Sequence, residues 1–147
     1  MFKAIVALVL GLMVSACASV PMAPQDADAS GKVFAPPAPG QAALYVYREG
    51  IFGGALALNV SMGQRLLGAL GPDTWFRVDV PPGTYDIRCL GQEASDSKVI
   101  ELAAGEIRFV EAAMRLGFVA ARCAVFEVDA AKGRQAVLSG KRAQEIR

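Results

Sequence analysis

From residue 42 onward, apolar and polar positions alternate with a period of two in short runs broken by turn residues, which predicts half-buried β-strands. In Ala43-Leu44-Tyr45-Val46-Tyr47-Arg48, Leu44 and Val46 face one way and the two tyrosines the other. Between Ala55 and Met62, the residues Leu56, Leu58, Val60 and Met62 share a face, and Gly63-Gln64 turns the chain into Arg65 to Leu70. Trp75 to Val80 sends Phe76, Val78 and Val80 inward and Trp75, Arg77 and Asp79 outward. Pro81-Pro82-Gly83 is a turn, because proline fixes φ and glycine accepts the positive φ that follows. Further strands are predicted at Tyr85 to Cys89, Val99 to Leu102, Ile107 to Ala112 and Ala121 to Val128, the last apolar on both faces. Seven or eight strands, with turns about every ten residues, predict an all-β fold: an antiparallel β-sandwich or small barrel.

The C-terminal stretch reads in two ways. Asp129 is placed to cap a short helix carrying Ala130, Ala131, Val137 and Leu138, which Gly140 would end. Gly133 inside it costs about 1 kcal/mol of helix stability, so a hairpin through Lys132-Gly133 is the alternative.

Three stretches carry a family resemblance. The Leu-Tyr-Val-Tyr-Arg opening within Ala42 to Arg48, the Pro-Pro-Gly-Thr-Tyr turn at Pro81 to Tyr85, and Ala104-Gly105-Glu106 followed by Phe109-Val110 resemble bacterial lipoproteins of the domain-of-unknown-function 2846 family. The similarity spans most of Ala42 to Val128. Its motifs belong to turns and core, so the resemblance implies a β-sandwich and brings no catalytic residue and no assigned activity.

The N-terminus follows a different pattern. Met1-Phe2-Lys3 is cationic, Ala4 to Met13 is unbroken apolar, and Val14-Ser15-Ala16 closes on Cys17. The layout is that of a secretory signal, too short for a permanent membrane span. Its order resembles the bacterial lipobox, in which a peptidase cuts just before a cysteine carrying diacylglycerol. That reading makes residues 1–16 a signal peptide and Cys17 the acylated first residue of the mature chain. The competing readings are an ordinary cleaved signal and a retained short anchor. Ala18-Ser19 after the cysteine, in place of aspartate, favours the outer membrane by the same resemblance, with the protein facing the periplasm. Between residues 17 and 41 lie five of the eight prolines and no sustained period, which predicts a disordered tether. Such a tether would span roughly 25–30 Å as a coil. The expected organisation is therefore signal (1–16), lipidated cysteine with tether (17–41) and one β domain (42–147).

Composition narrows the chemistry. Of the 147 residues 54% are hydrophobic, 20% charged and 7% aromatic, too apolar for disorder and of a size for one domain. Fifteen Lys and Arg against fourteen Asp and Glu give no footprint for nucleic acid. There is no histidine, which removes Ser-His-Asp and Cys-His nucleophile arrangements and the usual zinc ligands beyond cysteine. No metal, cofactor or catalytic residue is expected, and the domain reads as non-enzymatic. Cys89 and Cys123, in an oxidising compartment, are expected to pair as a disulfide; two buried free thiols are the alternative. Ser95-Asp96-Ser97-Lys98 matches the Ser-x-x-Lys of penicillin-binding enzymes, yet it lies in a polar inter-strand stretch and lacks the accompanying motifs. The carboxylates Asp79, Asp86, Glu101, Glu111 and Glu127 read as solvated faces.

Trp75, Tyr45 and Tyr47 sit on the outer faces of their strands, as candidate binding residues or beneath a covering segment. Ile51-Phe52 before Gly53-Gly54 is either a plug at the core's end or an exposed contact. Lys132 to Arg147 has five basic residues against one acidic, available to anionic surfaces or merely solvated. The function expected is a lipid-anchored envelope protein, held to the membrane by its N-terminal lipid, whose sandwich is a non-catalytic interaction domain of unknown partner, an envelope protein or a glycan; a small-ligand or glycan module using the aromatic face is the alternative.

Overall fold

The strand that opens the domain, β1 (Ala42–Arg48), is buried along its whole length, so both faces of its alternating pattern must be covered. The computed structural model, which describes residues 19–146, shows how. Eight more strands follow: β2 (Leu58–Met62), β3 (Arg65–Leu70), β4 (Thr74–Val80), β5 (Gly83–Leu90), β6 (Asp96–Leu102), β7 (Ile107–Leu116), β8 (Ala121–Val128) and the two-residue β9 (Lys141–Arg142). Two helices accompany them, α1 (Gln25–Gly31) and α2 (Ala130–Ser139).

The strands form two sheets packed as a β-sandwich, ordered β8-β7-β1-β4-β9 and β3-β2-β5-β6. Leu44, Val46, Phe76, Val78 and Val110 from the first interdigitate with Leu58, Val60, Leu67, Ile87 and Ile100 from the second. Each such side chain contributes about 1.5–3 kcal/mol through burial. The pairing is antiparallel except at β1·β7 and β4·β9, which are parallel. The antiparallel β-sandwich expected from the sequence is thus present, with two parallel pairs inside it: after β4 returns antiparallel to β1, the chain crosses the second sheet again and β7 comes back on β1's other side in the same direction. β7 runs to Leu116, well past the predicted Ala112.

The C-terminal helix is present, with Asp129 Oδ1 accepting from the Lys132 amide at 2.8 Å. Gly133 is accommodated for packing reasons, since a Cβ there would collide with the Phe109 ring. The disordered tether is the larger correction. Residues 19–41 are part of the folded body: Val20 enters the main core, Met22 pairs with Ala143, and α1 lies on the first sheet. The Ala23 amide donates to the Arg142 carbonyl and the Gln144 amide to the Pro21 carbonyl, so this segment extends the sheet beyond β9. A seven-residue helix has little stability of its own. It is held by Asp28, whose carboxylate accepts from the Arg142 amide at 2.7 Å, and by the aromatic surface beneath.

Candidate functional site

Trp75, Tyr45 and Tyr47 do share one face, as the alternation implies: Tyr47 and Trp75 are cross-strand partners, and Phe109 stands beside Tyr45 on β7. That face is covered. Trp75 and Tyr45 are 0% exposed and Tyr47 is 1%. Gly31, at the end of α1, rests directly on the Trp75 indole, and its carbonyl accepts from the Tyr45 hydroxyl at 2.7 Å. Phe34, in a left-handed backbone conformation (φ 54°), packs its ring 5.4 Å from Tyr45, which itself stacks on Phe109 at 5.1 Å. Ala136 and Val137 of α2 complete the cluster. Three arginines close its rim: Arg77 over Tyr45, Arg134 over Phe34 and Arg142 over Trp75, each 5.1–5.5 Å from the ring centroid. The three aromatics are therefore a second core and not an exposed binding face, which corrects the expectation for Trp75, Tyr45 and Tyr47. The cover is the very segment expected to be a tether, together with the C-terminal helix.

Among the described residues, two polar atoms in this core have no partner, Tyr47 Oη and Trp75 Nε1. Burial, reinforced by the nearby Glu111 carboxylate, pushes the Tyr47 hydroxyl well above the usual phenol range, which keeps it neutral. Burial likewise raises Tyr45, against the opposing pull of Arg77.

Cys89 and Cys123 form a disulfide, with Cα atoms 6.1 Å apart. It joins β5 of one sheet to β8 of the other, beside a seam where the Cys123 amide donates to the Ala94 carbonyl and the Val125 amide to Asp96 Oδ2. Cys17 and the signal segment lie outside the described residues. Ser95 and Lys98 are exposed, on extended backbone entering β6, where no helical turn brings lysine to serine. Asp79, Asp86, Glu111 and Glu127 pair with Arg77, Arg88, Lys132 and Arg108 at 3.1, 3.0, 2.6 and 2.7 Å. These are surface pairs of small energetic weight. The basic C-terminal residues are also engaged, Lys132 by Glu111 and Arg142 by Glu145.

The surface feature that alternation did not announce lies at one end of the sandwich. Arg48 is 1% exposed, and its guanidinium donates to the carbonyls of Leu56 (2.6 Å), Phe52 (2.9 Å), Gly53 (2.9 Å) and Leu70 (3.3 Å). This clamp fixes the β1–β2 connection and leaves Ile51 and Phe52 facing solvent. Beside it, Phe118 and Val119 in the β7–β8 turn are 98% and 94% exposed. Glu93 Oε2 accepts from the Val119 amide (2.8 Å) and the Ala120 amide (3.0 Å), bonds that hold its carboxyl below the usual value. The sequence signal for the first loop was Ile51-Phe52 bounded by glycines. For the second, Phe118-Val119 directly after Gly117 was a signal that went unread.

No family model matches the chain. A protein of Haemophilus influenzae described as uncharacterized is 26% identical over 128 residues, covering 87% of this chain and 76% of the relative.

Proposed function

We propose that the protein is a lipid-anchored lipoprotein of the bacterial outer membrane, facing the periplasm, whose β-sandwich is a non-catalytic interaction module. Val14-Ser15-Ala16-Cys17 at the end of an apolar run carries this reading, with Cys17 as the acylated residue. The Cys89–Cys123 disulfide supports it, because such bonds persist in oxidising compartments beyond the inner membrane. Membership of the domain-of-unknown-function 2846 family is part of the same proposal and rests on the turn and core motifs alone. The glycan-binding alternative finds no support, since the aromatic side chains it needs lie under α1 and α2. The non-catalytic reading is supported by carboxylates engaged in surface ion pairs and by the separation of Ser95 from Lys98 on extended backbone.

The test is metabolic labelling with palmitate in a bacterial host. The wild-type chain is expected to take up label and to fractionate with the outer membrane. Cys17→Ser is expected to lose the label and keep its signal segment. An unlabelled wild-type chain would overturn the proposal.

A further inference from the structure

We infer that the end of the sandwich bearing Ile51, Phe52, Leu116, Phe118 and Val119 is the membrane-contacting face, inserting its two loop tips into the anionic headgroup region of the bilayer that holds the anchor. The inference rests on acylation of Cys17.

The topology gathers these residues. β1 ends at Arg48 opposite the start of β4 at Thr74, and β7 passes beyond both to Leu116. The connections at that end are residues 49–57, 71–73, 91–95 and 117–120, and Phe52 shares one surface hollow with Met114, Leu116, Phe118 and Val119. The opposite end is different: its connections at 81–82 and 103–106 expose proline, alanine and glycine and no large apolar side chain. Other exposed apolar side chains, such as Val33, Val99 and Leu138, are scattered singly. Leu116, Phe118 and Val119, the three most exposed such side chains among the described residues, gather with Ile51 and Phe52 at one pole, and such a cluster marks an interaction site.

The tips are also held out. The buried Arg48 fixes the backbone of Phe52 and Gly53, Asp73 Oδ1 accepts from the Gly50 amide at 2.7 Å, and Glu93 grips the backbone of Val119 and Ala120. Gly53 has φ +66°, and a Cβ there would press on Met114 at 2.6 Å, so this loop has little room to collapse inward. Backbone fixed by charged groups while phenylalanine and isoleucine point into water is ordering without burial. A second, apolar phase supplies the missing burial.

Two observations name that phase. The first is where the anchor arrives. Ser19 and Val20 line a hollow of about 410 Å³ with Gly71, Pro72, Asp73 and Thr74, at this same pole. Cys17 is two residues further on, within roughly 7 Å of Ser19 even when fully extended. Pro72 in turn packs against Gly54, and Asp73 holds Gly50. The acyl chains are thereby tethered beside the apolar loops, and with Val20 buried there is no long leash to lift the domain away. The second is charge. Arg115 and Arg122 are exposed and face each other directly across β7 and β8, just behind the Phe118 turn. Like charges opposite one another are unfavourable in water. Glu93 offsets one of them in part, and anionic headgroups would neutralise both. Glu49, Asp73 and Glu93 are exposed at the same pole, so the arginine pair is a local cationic spot beside the apolar tips, and apolar side chains next to such a spot suit an interfacial membrane contact.

The test uses the acylated mature protein reconstituted into phosphatidylethanolamine–phosphatidylglycerol vesicles carrying lipids brominated near the headgroup end of the acyl chains. Phe118→Trp places a reporter at the turn, Val99→Trp places one on the exposed side of β6, and unsubstituted protein reports Trp75 alone. Emission from residue 118 is expected to be quenched about twofold or more above both references, since interfacial side chains sit about 5–10 Å deep. Because Phe118 is almost wholly exposed, the melting temperature of Phe118→Trp should match that of the parent, which excludes misfolding as the cause. Equal quenching at positions 118 and 99 in palmitate-labelled protein overturns this inference and leaves the lipoprotein reading standing. Absence of palmitate on the chain overturns both. Shielding of residue 118 without bromine quenching, in protein that sediments as a dimer, assigns the pole to self-association and also overturns it.

Discussion

Truncating Trp75 to alanine removes an indole that fills the space between Gly31, Tyr45 and the Arg142 guanidinium. No solvent reaches that site, so the cost is that of a core aromatic, about 3–5 kcal/mol. Urea unfolding of Trp75→Ala checks it; an unchanged midpoint would mean that α1 does not cover the residue in solution. Its cross-strand neighbour tests the opposite sign. The Tyr47 hydroxyl is buried with no partner among the described residues, and a buried unpaired polar group carries a desolvation cost of about 1–3 kcal/mol. Tyr47→Phe deletes that group and little else, so the variant is expected to be as stable as the parent or up to about 1 kcal/mol more stable. A loss in the same urea experiment would show that the hydroxyl is satisfied after all.

Among the elements, α1 shows most plainly why part of this fold was illegible. The strands announce themselves because a half-buried strand must alternate, and Leu44, Val46, Phe76 and Val78 fall where that period puts them. The α2 helix announces itself through Asp129 and Gly140. Gln-Asp-Ala-Asp-Ala-Ser-Gly has no apolar stripe to read, because α1 packs through the backbone of Gly31, and its Asp28 binds a backbone amide 114 positions away. Two prolines before it and three after then look like a tether. The candidate site was misread for a related reason: alternation assigned Trp75, Tyr45 and Tyr47 to an outer face correctly, but period two does not say what lies on that face. The pole was missed because Glu93 holds a turn some 26 positions further along the chain, a relation with no local signature. Gly31→Ala tests the backbone packing of α1. A methyl group there must displace the helix or the indole, so a loss of about 1–3 kcal/mol is expected. A red shift of Trp75 emission should accompany it, and unchanged stability and emission would refute the close approach.

Over the whole molecule, the two sheets are fastened along both long edges by different means. On one edge the disulfide and the hydrogen bonds from β8 to residues 94 and 96 join β8 to the second sheet. On the other, residues 143–146 cross over, the Ala143 amide donating to Trp75 on β4 and the Ile146 amide to Leu67 on β3. The disulfide closes a loop of sequence separation 34, for which chain entropy gives about 2–4 kcal/mol. Reduction is expected to lower the unfolding free energy by that amount, moving the urea midpoint down, and to raise the denaturant slope slightly, because the unlinked unfolded chain is more expanded. A midpoint indifferent to reductant would show that the hydrogen-bonded seam alone suffices.

The pairing of residues 21–23 with 142–144 sets a clock on biogenesis. If the chain is exported as proposed, it emerges N-terminus first, so the stretch beside Cys17 arrives well before residues 142–144 that capture it. On that proposed route, until residue 144 cleared the translocon Val20 would have no finished groove to enter and the neighbouring peptide bonds would stay open to enzymes. Acyl transfer and leader cleavage on the proposed route thus have the whole transit time in which to act, and arrival of the C-terminus brings that interval to its end.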